Sequence, residues 1–310
     1  MPMRETEVEG YAAVTLSSPH LEATFVPRVA MIGASLVHDG VELLDRRGGL
    51  ARYAEKGSTM GMPLLHPWAN RLAGFGYTVG GRSVVVDPSS LLLHKDGNGL
   101  PMHGVQPRNL PWQVVGTNGG AGSQLSVRLA YEAPHLVAVF PFPHELRMDV
   151  GLHEATLTVT TTLRPSGTIA VPVSFGFHPY LRLPDVPRGE WWVELPVRRR
   201  LVLDERQIPT GATEPVTIPA GPLAAGAFDA GFDRLDHPAR FVLAGGGRRV
   251  TVEFVEGFPC AQVYAPVGES FICFEPMTAP TNALVSGAGL TIVEPGAAYT
   301  ATFAITIECA

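Results

Sequence analysis

The chain has 310 residues, a formal net charge of −6 and only 17% charged residues. Because 45% of the residues are hydrophobic, the composition excludes a chain that is disordered over most of its length. The acidic balance argues against nucleic-acid binding. The sequence contains no run of 18 or more apolar residues, so no membrane-spanning helix is predicted.

Short segments that are rich in β-branched residues or alternate in polarity follow one another along the chain and predict strands. In chain order these segments are residues 21–26, 83–86, 124–129, 155–163, 169–173, 191–197, 240–243, 249–255 and 301–307. Glycine (34) and proline (28) are frequent between them, as expected of hairpins and loops. Helical signals are weak and are limited to possible short turns at 49–53 and 224–228.

Segment 155–163 has the clearest alternation. It places Leu157, Val159 and Thr161 on one face and the threonines at 156, 158, 160 and 162 on the other. This pattern is typical of a half-buried antiparallel strand. Since we find no strand–helix alternation, internal repeat or linker, the sequence predicts an all-β protein, with residues 1–310 forming one large antiparallel β-sandwich domain.

The three cysteines, Cys260, Cys273 and Cys309, form no metal-binding or disulfide pattern and are expected to be buried thiols. The N-terminus has no basic segment followed by an apolar run, so we expect a cytoplasmic protein without a secretory signal. Nucleotide, flavin and nicotinamide motifs are absent, and the histidines lack ligand spacing. We therefore expect no cofactor and no metal.

Polar residues stand in apolar surroundings in segments 66–74, 99–105, 174–181 and 271–283. Glu275 ends an apolar run before a proline, where burial would raise its pKa toward the range of a general base. His178 lies between Phe177 and Pro179, where a histidine can titrate near pH 7 and donate a proton. The alternatives are a salt-bridged glutamate and a core histidine.

Other residues in or near these segments are candidates for binding. His103 precedes a glycine, which lets the backbone approach a ligand closely. Asn70 and Arg71 together offer several donors and one acceptor to vicinal hydroxyls. Asp233 and Gln262 are weaker candidates, and their alternatives are a turn aspartate and a glutamine on the sheet surface.

The order of the motifs resembles that of the aldose 1-epimerase (galactose mutarotase) family. The motifs are Asn-Arg at 70–71, His-Gly at 103–104, His-x-Tyr at 178–180, Gly-Phe-Asp at 231–233, Pro-x-x-Gln-x-Tyr at 259–264 and Cys-x-Glu at 273–275. The resemblance runs from about residue 21 to the C-terminus. It implies a galactose mutarotase-like β-sandwich, in agreement with the strand pattern.

The resemblance also implies roles for the candidate residues. Glu275 is expected to be the general base, His178 the general acid, and His103 an assistant at the ring oxygen. The expected sugar ligands are Asn70, Arg71, Asp233 and Gln262, with Asp229, four residues before Asp233, as the alternative aspartate. The implied partner is a small sugar, with no cofactor, and the protein is expected to be a monomer or homodimer.

Three positions depart from the common family pattern: Val105 replaces a glycine, Pro179 a serine or threonine, and Met277 a glutamine found in galactose-preferring members. The preferred sugar therefore stays open. One alternative is a hexose 6-phosphate 1-epimerase that uses Arg182 and the arginines at 198–200. The others are a non-catalytic carbohydrate-binding protein and, with least support, a carbohydrate lyase or hydrolase.

Overall fold

Antiparallel strands dominate the computed structural model, which describes residues 3–119 and 122–309. The strands of the first half are β1 (Met3–Val8), β2 (Tyr11–Ser17), β3 (Leu21–Val26), β4 (Ile32–His38), β5 (Val41–Glu42), β6 (Leu64–Leu65), β7 (Gly76–Val79), β8 (Arg82–Val85), β9 (Leu93–Lys95), β10 (Pro101–Val105), β11 (Gln113–Gly119), β12 (Ser123–Tyr131), β13 (His144–His153) and β14 (Thr156–Pro165). Those of the second half are β15 (Val171–Val173), β16 (Gly176–Phe177), β17 (Tyr180–Leu181), β18 (Trp192–Glu194), β19 (Arg199–Leu203), β20 (Pro209–Pro215), β21 (Gly221–Pro222), β22 (Phe228–Phe232), β23 (Ala239–Gly245), β24 (Arg248–Glu256), β25 (Cys260–Ala265), β26 (Ile272–Met277), β27 (Thr291–Val293) and β28 (Tyr299–Cys309).

Helices in the described residues are short. They are α1 (Leu50–Lys56), α2 (Pro134–Val137) and α3 (Ala283–Ser286), with 3-10 turns at Pro107–Asn109 and Arg188–Glu190. Within residues 3–119 and 122–309, no helix has the length and apolar character needed to cross a bilayer.

Three large sheets hold most of the described strands, and β7 with β8, β9 with β10 and β15 with β27 form three two-stranded sheets. Strands β1 to β5 pair in sequence order as a five-stranded sheet. A nine-stranded sheet has the order β11-β12-β13-β14-β28-β24-β23-β18-β21. The eight-stranded sheet has the order β20-β19-β22-β25-β26-β16-β6, and its eighth strand, β17, pairs with β26. This architecture confirms the predicted all-β sandwich of antiparallel strands.

Aromatic side chains join the nine-stranded sheet to the eight-stranded one. Phe241 of β23 packs on Phe274 of β26 with ring centroids 5.5 Å apart, and Phe303 of β28 packs on Phe177 of β16 at 4.9 Å. Such pairs add to the free energy of burying the rings, which is about 1.5–3 kcal/mol for each side chain. The core between these sheets holds the candidate-site strand β26 in place.

The predicted strands all overlap observed ones, and the alternation of segment 155–163 is confirmed because Leu157, Val159 and Thr161 are buried. The short helical turn predicted at 49–53 is confirmed as part of α1, which begins one residue later, at Leu50. The predicted helical turn at 224–228 is wrong. There the Gly226 N–H donates to the Leu223 carbonyl at 2.8 Å in a tight turn, and Phe228 then pairs with β25.

The cysteine expectation is partly wrong. Cys260 and Cys273 are buried, whereas Cys309 is exposed at the end of β28. Cys309 has the same parity as Ile305 and Ile307, but it is the last residue of β28, where the strand has left the core.

Candidate active site

The candidate site starts on one face of the eight-stranded sheet. Glu275 of β26 lies opposite Gln262 of β25, which in turn lies opposite Gly231 of β22. Asp229 lies opposite Tyr264 in the same register. Because side chains two residues apart share a face, the register gathers Glu275, Gln262, Asp229 and Tyr264 on one surface. The opposite face carries core residues such as Phe274.

His178 reaches this surface from the bend between β16 and β17. Its backbone N–H donates to the Pro63 carbonyl at 3.1 Å, and its ring stacks on Tyr180 with centroids 4.5 Å apart. Tyr180 is itself fixed by pairing with Cys273 of β26. These contacts bring His178 Nε2 to 3.2 Å from Glu275 Oε1.

Both members of this pair are buried, with 5% and 1% of the surface of His178 and Glu275 exposed. Neither Glu275 Oε2 nor His178 Nδ1 has a hydrogen-bond partner among the described residues. Each residue therefore keeps one polar atom available in an environment that excludes bulk water.

Burial shifts the two pKa values in opposite directions. Desolvation raises the pKa of Glu275 well above its usual value; the charge of Asp229 adds to the shift and that of Arg71 opposes it. Desolvation lowers the pKa of His178 to about 3. The expectation that His178 titrates near pH 7 is therefore wrong for the ring alone. Since each ion is costly to bury alone, the pair holds a single proton between its two members.

His103 lies beside this pair, with its ring 5.8 Å from that of His178. Its Nδ1 accepts the backbone N–H of Asn70 at 3.2 Å. Desolvation lowers the pKa of His103 well below its usual value, so the ring is neutral and carries its proton on Nε2. His103 thus presents a hydrogen-bond donor to the cavity.

The structure explains the glycine at position 104 differently from the sequence analysis, which expected it to let the backbone approach a ligand. Its φ is +72°, and a Cβ there would lie 2.1 Å from the carbonyl oxygen of His66. The glycine therefore allows close approach of the His66–Pro67 backbone, not of a ligand. The contact fixes the strand that carries His103 against the segment that leads to Asn70.

Arg71 is anchored at two points. Its Nε donates to Asp96 Oδ2 at 2.7 Å, and its Nη1 donates to Asn70 Oδ1 at 3.1 Å. Asp96 also accepts the backbone N–H groups of Asn98 and Leu100, both at 2.9 Å. The guanidinium is held in one orientation with Nη2 uncommitted to any of these partners, which suits recognition of a hydroxyl.

The structure favours Asp229 over Asp233 as the aspartate of the site. Gln262 Nε2 donates to Asp229 Oδ1 at 2.7 Å, and both residues line the cavity. Asp233 lies beyond the end of β22, where it accepts from Arg199 Nε at 2.6 Å. Positions 229 and 233 have the same parity, so alternation alone could not separate them. They are distinguished by the end of β22 at Phe232, because Asp229 lies within the paired strand and Asp233 lies beyond it.

These side chains surround a cavity of about 220 Å³. The cavity is lined by Arg47, Thr59, Asn70, Arg71, Met102, His103, His178, Tyr180, Asp229, Gln262, Tyr264 and Glu275. All the sequence-predicted site residues except Asp233 are in this set. Sequence reasoning missed Arg47, Thr59, Met102 and the buried anchor Asp96, although the turn-forming Asp-Gly-Asn-Gly run at 96–99 could have indicated the last.

The arginines predicted to hold a phosphate are engaged elsewhere. Arg182, Arg198, Arg199 and Arg200 form ion pairs with Asp45, Asp236, Asp233 and Glu214, respectively, and none lines the cavity. Three possible metal-ligating side chains, His38, Asp39 and Cys309, come within 4.8 Å of one another in the described chain. They do not line the cavity either.

Comparisons with known proteins agree with this fold. The aldose 1-epimerase family matches residues 13–306, and the chain belongs to this family. The uncharacterized protein YihR of Escherichia coli (strain K12) is 25% identical over 253 residues, which are 76% of this chain and 77% of that protein.

Solved structures share the fold at lower identity. A galactose mutarotase-like protein from Clostridium acetobutylicum superposes with a TM-score of 0.86 at 17% identity, covering 99% of this chain and 98% of that one. Galactose 1-epimerase from Lactobacillus acidophilus gives a TM-score of 0.77 at 15% identity, again covering 99% and 98%.

Proposed function

We propose that this protein is an aldose 1-epimerase that interconverts the α and β anomers of an aldose. The observation that carries the proposal is the buried contact of 3.2 Å between Glu275 and His178 at the floor of a polar cavity. The reaction moves one proton off O1 of the sugar and one onto O5, and both oxygens are bonded to C1. An acid and a base in direct contact can therefore serve the two oxygens together.

The step starts from the form of the pair in which its one proton has moved from Glu275 to His178. Glu275 then takes the proton of the C1 hydroxyl while His178 protonates O5. The C1–O5 bond breaks, and C1 becomes the carbonyl carbon of the open-chain aldehyde. Rotation about C1–C2 presents the other face of the carbonyl, and the two residues return the protons in reverse as the ring closes. The pair holds one proton before and after each step, which is the total that opposite pKa shifts favour.

The remaining side chains position the sugar. His103 Nε2–H donates to the region of O5. Arg71, Asn70, Asp229 and Gln262 offer donors and acceptors to the ring hydroxyls. Fixing the sugar against the pair lowers the entropy cost of reaching the transition state. No step requires a metal or an organic cofactor, because opening a cyclic hemiacetal is proton transfer alone.

The test is polarimetry of freshly dissolved α-D-glucose and α-D-galactose with the purified chain. We expect acceleration over buffer that falls about 10²–10⁴-fold in Glu275→Gln and in His178→Asn, because each removes one general acid–base group. Glu145→Gln, on β13 of the nine-stranded sheet and away from the cavity, is the matched control and should retain the parent rate. Parental rates in the two site variants would refute the assignment, as would no acceleration of any aldose.

A further inference from the structure

A second cavity of about 250 Å³ adjoins the candidate active site. The two share four lining residues, Arg47, Thr59, Met102 and His103. The rest of the second cavity is lined by Gly48, Arg52, Gly57, Ser58 and His94. The whole lining of the second cavity contains two guanidinium groups, those of Arg47 and Arg52, and no carboxylate, whereas the first cavity contains Asp229 and Glu275. The second cavity is therefore the electropositive extension of the first.

Arg47 stands at the junction of the cavities. Its guanidinium carbon lies 5.3 Å from the ring centre of Tyr180 and 5.0 Å from that of Phe271. Arg46, the preceding residue, is paired with Glu9 at 2.9 Å, but Arg47 forms no ion pair within the described residues. Glu269 acts on its charge only through space. Arg47 is thus oriented by aromatic stacking while its charge remains available.

Arg52 contributes the second charge from α1. Its stem lies against Gly48, where a Cβ would come within 2.7 Å of Arg52 Cδ. The glycine leaves the room that this arrangement needs, and Arg52 also forms no ion pair in the part of the chain that the structure describes. Ser58 and Thr59 add hydroxyl groups. Two guanidiniums with neighbouring hydroxyls are the donor set that binds an anion with several oxygen acceptors.

The proposed chemistry fixes which part of a sugar enters this cavity. His178 and His103 act at O5, and O5 is bonded to C5, which carries the exocyclic carbon of an aldohexose. A substituent on that carbon leaves the ring beside O5. His103 lines both cavities, so the exit beside it leads toward Arg47 and Arg52.

We propose that the substrate is an aldose that carries an anionic group on its exocyclic carbon, and that Arg47 and Arg52 bind this group. The proposal rests on the proposed function and specifies its substrate class. It assigns the anion to arginines other than those at 182 and 198–200. The shared chemistry is a phosphate, sulfate or carboxylate, and the experiment separates these sources.

Anomer exchange is measured by NMR on the full chain with glucose, glucose 6-phosphate, glucose 6-sulfate and glucuronate, each corrected for its spontaneous rate. We expect kcat/KM for at least one charged sugar to exceed that for glucose about tenfold or more, the gain of one charge-assisted hydrogen bond. Arg47→Gln and Arg52→Gln should each remove most of this preference. Arg82→Gln, on the exposed β7–β8 hairpin, is the matched control and should retain it.

The outcomes separate this proposal from the proposed function. Equal kcat/KM for charged and neutral sugars, or equal losses on both in the two arginine variants, would overturn the anion site while leaving the epimerase intact. If no sugar is accelerated, the epimerase assignment fails, and the anion site is decided by calorimetric binding to Glu275→Gln. Tighter binding of a charged sugar than of glucose, weakened by Arg47→Gln, supports the site. Equal binding overturns it.

Discussion

Glu275 meets His178 at 3.2 Å, and His66 meets His144 at 2.9 Å; both pairs are buried. In the core pair, burial lowers both pKa values, so the two rings stay neutral together. In the cavity pair, burial raises the pKa of the acid and lowers that of the base, so the pair keeps one proton, which these shifts place on Glu275 before a sugar binds. Contact and burial are common to both pairs. What differs is that only the cavity pair can pass a proton to a bound molecule.

The hydrogen bonds show the same contrast. His144 Nδ1–H donates to the Phe142 carbonyl at 2.6 Å, which leaves its Nε2 as the acceptor for His66 Nε2–H. This chain of donors and acceptors ends on the backbone at Phe142. At its other end, His66 Nδ1 has no hydrogen-bond partner among the described residues, but it does not line the cavity. The uncommitted atoms of the cavity pair belong to residues that line the candidate active site. A core histidine pair therefore stabilises one conformation, whereas the cavity pair is suited to catalysis.

The largest expected effect that would sharpen this contrast is the loss of folding stability that the core pair causes as the pH falls. The folded-state pKa of His144 is lowered to about 4 from 6.5, so the unfolded chain takes up protons first as the pH falls. Stability present at pH 7 is lost between pH 6.5 and about 4, by about 3 kcal/mol for this shift. We expect the double variant His66→Leu/His144→Leu to reduce that pH dependence in urea unfolding.

His135→Leu, at an exposed position in α2, is the control and should leave the slope unchanged. If the double variant keeps the full acid response, other groups carry it. The core pair would then have no titration of its own.

The second effect has the opposite sign and belongs to the cavity pair. Because the folded-state pKa of Glu275 is raised, the folded chain retains a proton that the unfolded chain releases above pH 4.5. Stability therefore falls as the pH rises from 4.5 toward the folded-state pKa. Glu275→Gln removes this loss and should be more stable than the parent at pH 8 by about 1.4 kcal/mol or more, the free energy of one pKa unit.

Denaturant unfolding of both proteins at pH 5 and pH 8 measures the difference, which should be larger at pH 8. Glu145→Gln, whose carboxylate pairs with Arg128 on the surface, is the matched control. A Glu275→Gln variant that is less stable than the parent at pH 8 would mean that the ionised carboxylate is stabilised where it lies.

The two pairs also differ in what the sequence could predict. Glu275 could be predicted because an acid at the end of an apolar run stands out in the local sequence, and His178 could be predicted from its aromatic neighbours. The contact between His66 and His144 joins residues 78 positions apart through the packing of β13, and no local pattern encodes it. Arg47 was missed for the same reason. Its position depends on a loop that packs over Tyr180, so only the fold makes it part of the cavity.

The sandwich itself was predictable because strand alternation is local, as in the buried Leu157, Val159 and Thr161 of β14. The choice between Asp229 and Asp233 was not, since the two share a parity and only the pairing partner of each distinguishes them. The motif order thus identified the family and most of the site. Only the register of β22 with β25 shows that Asp229 is the aspartate that accepts the hydrogen bond of Gln262.

The smallest expected effect concerns binding next to the cavity pair. Under the proposed function, Arg71 contacts the sugar in both ground and transition states, so Arg71→Ala should raise KM about tenfold with kcat little changed. Initial-rate polarimetry over a range of sugar concentrations separates the two constants, and Arg82→Ala should match the parent.

Asp96→Asn sharpens the result. It keeps Arg71 but replaces the carboxylate that accepts from Nε, so a smaller rise in KM is expected. If Arg71→Ala leaves KM unchanged, Arg71 does not contact the sugar. A fall in kcat with KM unchanged would instead show that Arg71 acts on the pair itself, through the charge that opposes the raised pKa of Glu275.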